Sequence, residues 1–97
     1  MGAPAESGSS GTAALEKTIA GMVAELLGQK RGAAPAQVPV DAPLFAEGLG
    51  LDSADSLQLV VAIEDAFGVR FEDQDLTLEV FRDISSLAEA VAGKLAG

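Results

Sequence analysis

The residues of this 97-residue chain that could do chemistry gather at one place. Asp52-Ser53 and Asp55-Ser56 put two Asp-Ser pairs three residues apart, so on a helix they share one turn. A serine nucleophile needs a base beside it, and the chain has no histidine for that duty and no cysteine to act in its stead. Neither serine sits in a Gly-x-Ser-x-Gly elbow. Gly48-Leu49-Gly50 opens neither a phosphate-binding loop nor a dinucleotide fingerprint, because the later glycines are missing. Zinc lacks its usual ligands. Asp73, Asp75, Thr77 and Glu79 begin like a calcium loop. The sixth position from Asp73 is Leu78 where glycine is needed, and the twelfth is Ile84 where glutamate is needed. The reading is therefore no enzyme, no catalytic residue and no metal.

The elements that position these serines are helices. Thr12 is a plausible N-cap, and Leu15, Ile19, Met22, Val23 and Leu26 recur at helical spacing to about residue 27, where Gly28 is a reasonable stop. Residues 28–52 form a long connection with Pro35, Pro39 and Pro43. Val40, Leu44, Phe45, Leu49 and Leu51 are its candidate anchors, and connections of this length tend to be functional. A second helix starts at Asp52 or Ser53, both good N-cap residues, with Asp55 in the first turn where the helix dipole favours an anion. It runs to about Phe67 and ends at Gly68. Residues 69–75 read as a loop and 76–80 as a short helix. Ile84, Leu87, Ala88, Val91 and Leu95 fit a last helix capped by Asp83 or Ser85. No strand pattern stands out. The expected fold is all-α, a small four-helix bundle of three main helices and one short one, with a long first loop. Residues 1–11 are small and polar and read as a flexible N-terminal tail ahead of one domain at 12–97.

Charge and composition narrow the partners. The formal net charge is −9. Residues 41–83 hold eleven acids against Arg70 and Arg82, and eleven minus two accounts for all of it. Such a field repels nucleic acid and anionic lipid and attracts basic protein surfaces. No apolar run approaches the roughly 20 residues of a membrane span, and no basic-then-apolar leader opens the chain. With no cysteine to form disulfides, the expected compartment is the cytoplasm and the expected state a monomer.

The second helix has more apolar surface than packing requires. Leu59, Ile63 and Phe67, with Ser56 and Val60 beside them, make one face and suffice for a core. Ala54, Leu57 and Val61 line another, with Gln58, Glu64 and Asp65 alongside. Leu57 and Val60 are expected to pack under the short helix. Ala54 and Val61, ringed by carboxylates, are expected to stay exposed for a partner.

These features together resemble the acyl carrier proteins of fatty acid and polyketide synthesis, with the peptidyl carriers as close relatives. The resemblance covers residues from about 12 to 95. Its centre is Gly50-Leu51-Asp52-Ser53, followed by Leu57-Gln58-Leu59-Val60-Val61-Ala62-Ile63-Glu64-Asp65-Ala66-Phe67-Gly68-Val69. It implies a serine, preceded by aspartate, that accepts 4′-phosphopantetheine from coenzyme A; the thiol of that arm holds an acyl group. A helix N-terminus suits the phosphodiester, through its free N–H groups and positive dipole end. Gly48 and Gly50 would then allow close approach by the loading enzyme. The implied partners are a phosphopantetheinyl transferase and acyl-transferring, condensing or tailoring enzymes with basic docking surfaces. Docking falls to Ala54, Asp55, Gln58, Val61, Glu64 and Asp65.

The string Asp-Ser-Leu, typical of the family, occurs at 55–57 and points to Ser56. Spacing points to Ser53: counting back from Gln58-Leu59-Val60 and from Phe67-Gly68 reaches it. Ser53 lies at or next to the cap, where side chains splay outward. Ser56 lies one turn in, on the core side, where a helical serine hydrogen-bonds locally. Ser53 is the expected attachment residue, with Asp52 beside it. The family's large apolar residue after the serine is replaced by Ala54, which points to a discrete carrier for polyketide or other specialised metabolism. The alternatives are a peptidyl or aminoacyl carrier, or an unmodified, carrier-like acidic interaction module.

Overall fold

The computed structural model describes residues 3–45 and 48–96, with side-chain environments from residue 12 onward. Three α-helices follow one another: α1 (Ala3–Arg31), α2 (Ser53–Phe67) and α3 (Ile84–Ala96). A single 3-10 turn, Asp73–Asp75, lies between the last two. The all-α class is as expected. The short helix expected at 76–80 is not formed. A turn replaces it, closed by Phe81 N–H donating to the Thr77 carbonyl at 3.1 Å and Val80 N–H to Thr77 Oγ1 at 3.2 Å. The Thr77 hydroxyl thus takes a backbone donor near the start of the turn, as serine and threonine side chains do outside helices.

α1 exceeds its expected bounds at both ends. Thr12 is an interior residue rather than a cap, because the backbone is already helical from Ala3, with Pro4 in the first turn where its missing N–H forfeits nothing. Of the expected flexible tail, residues 3–11 are thus helical, and residues 1 and 2 lie outside the described residues. Gly28 is not the stop. Its absent side chain lets Ala34 pack against the helix, since a Cβ there would stand 3.1 Å from the Ala34 methyl. The stop is Gly32, in the left-handed region at φ 89°, with its N–H on the Gly28 carbonyl at 2.7 Å.

Leu15, Ile19, Val23, Leu26 and Leu27 form the buried stripe of α1. Leu59 and Ile63 of α2 meet it, as do Ile84, Leu87, Ala88 and Val91 of α3. Truncating Leu59 or Ile63 to alanine would cost about 2–5 kcal/mol, since both are fully buried. The core also takes Val38, Phe71 and Phe81, which helical periodicity did not single out for it. Leu95, expected at the end of the α3 stripe, is exposed. Asp83 caps α3: its Oδ1 accepts from Ser86 N at 2.8 Å.

The long connection after α1 is held by backbone bonds rather than by a helix or sheet. Leu44 N–H donates to Arg82 O at 3.0 Å, Leu51 N–H to Leu44 O at 2.9 Å, and Leu49 N–H to Pro43 O at 2.8 Å. Leu44 and Leu51 are buried, while Val40, Phe45 and Leu49 pack half-buried on the core. The five anchors expected from the sequence all serve. Together they deliver the chain to the head of α2.

Candidate functional site at the head of the second helix

Asp52 is the N-cap of α2, and its pairing with Asp55 is reciprocal. Asp52 Oδ1 accepts from Asp55 N at 2.9 Å, and Asp52 N donates to Asp55 Oδ2 at 3.0 Å. This capping box satisfies two donors at a helix end that would otherwise lack partners. Gly68, at φ 69°, closes the other end with its N–H on the Glu64 carbonyl at 2.9 Å. Both bounds match the sequence reading.

The box sets the two serines apart. Ser56 Oγ donates to the Ser53 carbonyl at 2.7 Å, the local bond expected of it. Ser53 is exposed at the first helical position, and its hydroxyl has no hydrogen-bond partner among the described residues. The N–H groups of Ser53 and Ala54 lie in the first turn, ahead of any intrahelical acceptor. A free hydroxyl therefore stands at the positive end of the helix dipole.

Asp55 is not on the exposed surface of α2. It is only 7% exposed, and Lys30 Nζ from the last turn of α1 lies 2.8 Å from its Oδ2. That hydrogen bond, followed by the Asp52 backbone N–H, holds the Asp55 carboxyl below its ordinary value, and in return Asp55 raises the Lys30 ammonium. The resemblance places Asp55 among the docking residues; its reciprocal capping with Asp52 and the ion pair to Lys30 turn it inward. The remaining docking candidates are distributed more nearly as expected. Ala54, Gln58, Val61 and Asp65 are exposed, with Val61 at 63%. Glu64 is half-buried, and its Oε2 accepts from Phe71 N at 2.8 Å, which pins the chain after α2.

Gly48 has a different use from the one expected. A Cβ there would fall 1.9 Å from the Pro43 carbonyl oxygen, so glycine is demanded by the fold of the connection itself. Gly50 takes φ 78°, a conformation glycine adopts without strain.

Beside Ser53 opens an apolar cleft of about 350 Å³, walled by Leu57, Val60, Leu76 and Leu78, with Phe45 and Phe81 also lining it. Leu57, expected to be covered, is 61% exposed. Val61 and Val80 face elsewhere and do not line the cleft. Phe81 is buried with its ring 6.1 Å from that of Phe71 and forms part of the lining. The acidic stretch 72–75, read as part of a loop, is tied at Asp75. Its Oδ2 takes Lys94 Nζ at 2.6 Å and Glu72 N–H at 2.8 Å. Lys94 also sits 5.3 Å above the Phe71 ring.

Comparison with known proteins converges on the same region. Residues 17–91 match the family described as "Phosphopantetheine attachment site". An acyl carrier protein of Guillardia theta is 37% identical over 76 residues, covering 78% of this chain and 86% of that protein. One from Solidesulfovibrio magneticus is 33% identical over 78 residues, covering 79% and 99%. Among solved structures, a chain in the complex of Bradyrhizobium japonicum glycine:[carrier protein] ligase with glycylated carrier protein superposes with a TM-score of 0.65 at 26% identity, over 80% of this chain and 97% of that one.

Proposed function

The chain belongs to the phosphopantetheine-attachment family of acyl carrier proteins, and from that premise we propose that Ser53 bears the arm and that the cargo belongs to polyketide or other specialised metabolism. Members of this family are non-catalytic carriers modified by a phosphopantetheinyl transferase, and their prosthetic group is 4′-phosphopantetheine. That group supplies the thiol on which an acyl chain is carried, a sulfur nucleophile this cysteine-free chain cannot supply itself.

The residues present fit such a group. The observation that carries the assignment is the unpartnered Ser53 hydroxyl, at the head of α2 and at the mouth of an apolar cleft. The free first-turn N–H groups can receive the phosphate oxygens. Ser56, held by the Ser53 carbonyl, is committed to the helix. Leu57, Val60, Leu76 and Leu78 offer apolar surface to an acyl chain, and the cleft is near the small end of ligand pockets.

Ala54 supports a dedicated pathway. It is exposed next to Ser53. A partner that buries a leucine-sized side chain there would lose on the order of 1.5–3 kcal/mol on meeting alanine. The docking surface is Ala54, Gln58, Val61 and Asp65 with Glu64 at its border, and its partners are enzymes with basic surfaces.

A second reading, an aminoacyl carrier, is favoured by the likeness to a chain from a complex containing glycylated carrier protein. The apolar cleft weighs toward the first, because a glycyl group has no aliphatic surface to bury there. The test is mass spectrometry after incubation with coenzyme A and a promiscuous transferase, followed by peptide mapping. One arm on Ser53 and none on Ser53→Ala is the expected result. An arm mapped elsewhere, or none at all, rejects the assignment. Thioesterification of the loaded protein by an acyltransferase, and not by a glycine-activating ligase, separates the two cargo readings.

A further inference from the structure

Two carboxylates flank Ser53, and the cation that answers both comes from a different helix. Lys30 Nζ lies 2.8 Å from Asp55 Oδ2 and 3.5 Å from Asp52 Oδ2. The neighbouring Arg31 reaches the same neighbourhood, its Nη2 donating to the Leu49 carbonyl at 3.0 Å. The last turn of α1 thus grips both the lead-in to the site and its first helical turn. Apart from this contact the surroundings are unfavourable to an anion. Asp52 keeps its side chain 63% exposed, and the segment 41–83 holds all of the chain's net negative charge.

Loading joins Ser53 Oγ to the phosphorus that bears pantetheine, breaks the pyrophosphate bond of coenzyme A, releases adenosine 3′,5′-bisphosphate, and leaves the serine proton to a base on the transferase. A multiply charged phosphate must come close to Asp52 for this to occur. We infer that Lys30 is a positioning residue for attachment of the arm. It draws the Asp52–Asp55 pair toward the end of α1 and offsets its charge, which leaves the first-turn N–H groups of Ser53 and Ala54 as the nearest partners for the incoming phosphate. The inference rests on Ser53 being the attachment residue. It assigns Lys30 no contact with the reacting atoms: Lys30 acts through the two aspartates.

The experiment uses the apo 97-residue chain, coenzyme A and a purified transferase, with Lys30→Gln, Lys30→Arg and the double variant Lys30→Gln/Asp55→Asn. KM for coenzyme A, KM for the carrier and kcat are measured separately at low and high salt, alongside thermal melting. Lys30→Gln is expected to raise KM for coenzyme A by up to about fivefold at low salt, the range of a single partly exposed ion pair, and by less at high salt. Lys30→Arg should retain the wild-type value. The double variant should recover part of the loss, because the carboxylate left without its cation is gone. A lower melting temperature in Lys30→Gln with unchanged KM for coenzyme A would assign Lys30 to stability and overturn the proposal. Wild-type kinetics in all three variants would do the same while leaving Ser53 in place. A wild-type chain that is not loaded on Ser53 rejects the Ser53 assignment, and the role of Lys30 with it.

Discussion

Ser56 Oγ donates to the carbonyl of Ser53 at 2.7 Å, so one of two serines in adjacent Asp-Ser pairs is bound to the backbone of the other. Ser53 keeps its own hydroxyl free at the first helical position, while Ser56 is half-buried one turn further in. Ser56→Ala removes that intrahelical bond and leaves the cap of Asp52 and Asp55 intact. It should therefore load to completion at close to the wild-type rate and change stability by less than about 1 kcal/mol. Intact-mass measurement over time checks this, and loss of loading in Ser56→Ala would place the arm one turn deeper.

Acid should destabilise the fold below the ordinary aspartate range. The Lys30 hydrogen bond lowers Asp55, and the Lys94 hydrogen bond lowers Asp75. Burial pushes Asp83 up, but hydrogen bonds from Ser86 and Arg82 outweigh it and leave that carboxyl lowered too. A group lowered on folding stabilises fully above its unfolded value, here 3.8, and the contribution is lost as pH falls through the lower folded value. Lys30 has the opposite sign. It is raised above 10.5, so its contribution is complete below that pH and is lost only as pH climbs past its folded value. Urea midpoints should therefore be flat with respect to these four groups between the two limits and fall outside them. Asp55→Asn should blunt the acid limb, and an unchanged limb would contradict the role given to that ion pair.

Two glycines should respond oppositely to alanine. Gly21 lies exposed within α1, and a Cβ there meets nothing within 4 Å. Gly21→Ala should stabilise by about 0.5–1 kcal/mol through lower unfolded-chain entropy. Gly48→Ala would press a methyl against the Pro43 carbonyl oxygen and force the connection to shift, costing about 1–3 kcal/mol. Thermal melts of the two variants give the comparison directly, and a neutral Gly48→Ala would show that the connection yields easily.

Charge reversal on the proposed docking face should be made at Asp65 rather than at Glu64. Glu64 holds the Phe71 N–H, so its loss mixes docking with folding. Asp65 is exposed and makes no ion pair among the described residues. Asp65→Lys should slow association with a basic partner and flatten its salt dependence, with an equilibrium effect of about 0.2–1 kcal/mol. Stopped-flow association across a salt series measures it. Identical slopes for variant and wild type would remove Asp65 from the docking surface.

The wall of the cleft should depend on a contact made from α3. Lys94 holds Asp75 at 2.6 Å, immediately before Leu76. Lys94→Ala should speed amide hydrogen exchange at residues 72–78 more than in the α1 core. In a medium-chain acyl form, amide shifts should change at Val60, Leu76 and Phe81 rather than at Val61. Uniform exchange in Lys94→Ala would show that the segment is held by packing instead.

The bounds of α2, the local hydrogen bond of Ser56 and the acidic middle of the chain were legible from the amino-acid order. Caps and periodicity act within one turn, so Asp52 before Ser53 and Gly68 after Phe67 carry their own physical signal. The start of α1 was not legible in the same way. A good cap residue such as Thr12 permits a helix start without requiring one, and the residues before it continue the helix. What tertiary structure decided are the partnerships between distant segments. An aspartate in a first turn can face a partner enzyme or turn inward; Asp55 turns inward because α1 ends with Lys30 beside it. Gly48 passes for a flexible hinge until the Pro43 carbonyl is seen to occupy the space a side chain would need. Leu57 remains uncovered because residues 78–81 form a turn rather than a helix. Each depends on where a distant piece of backbone comes to rest, and that is set by the packing of α1, α2 and α3 around one core rather than by neighbours within a turn.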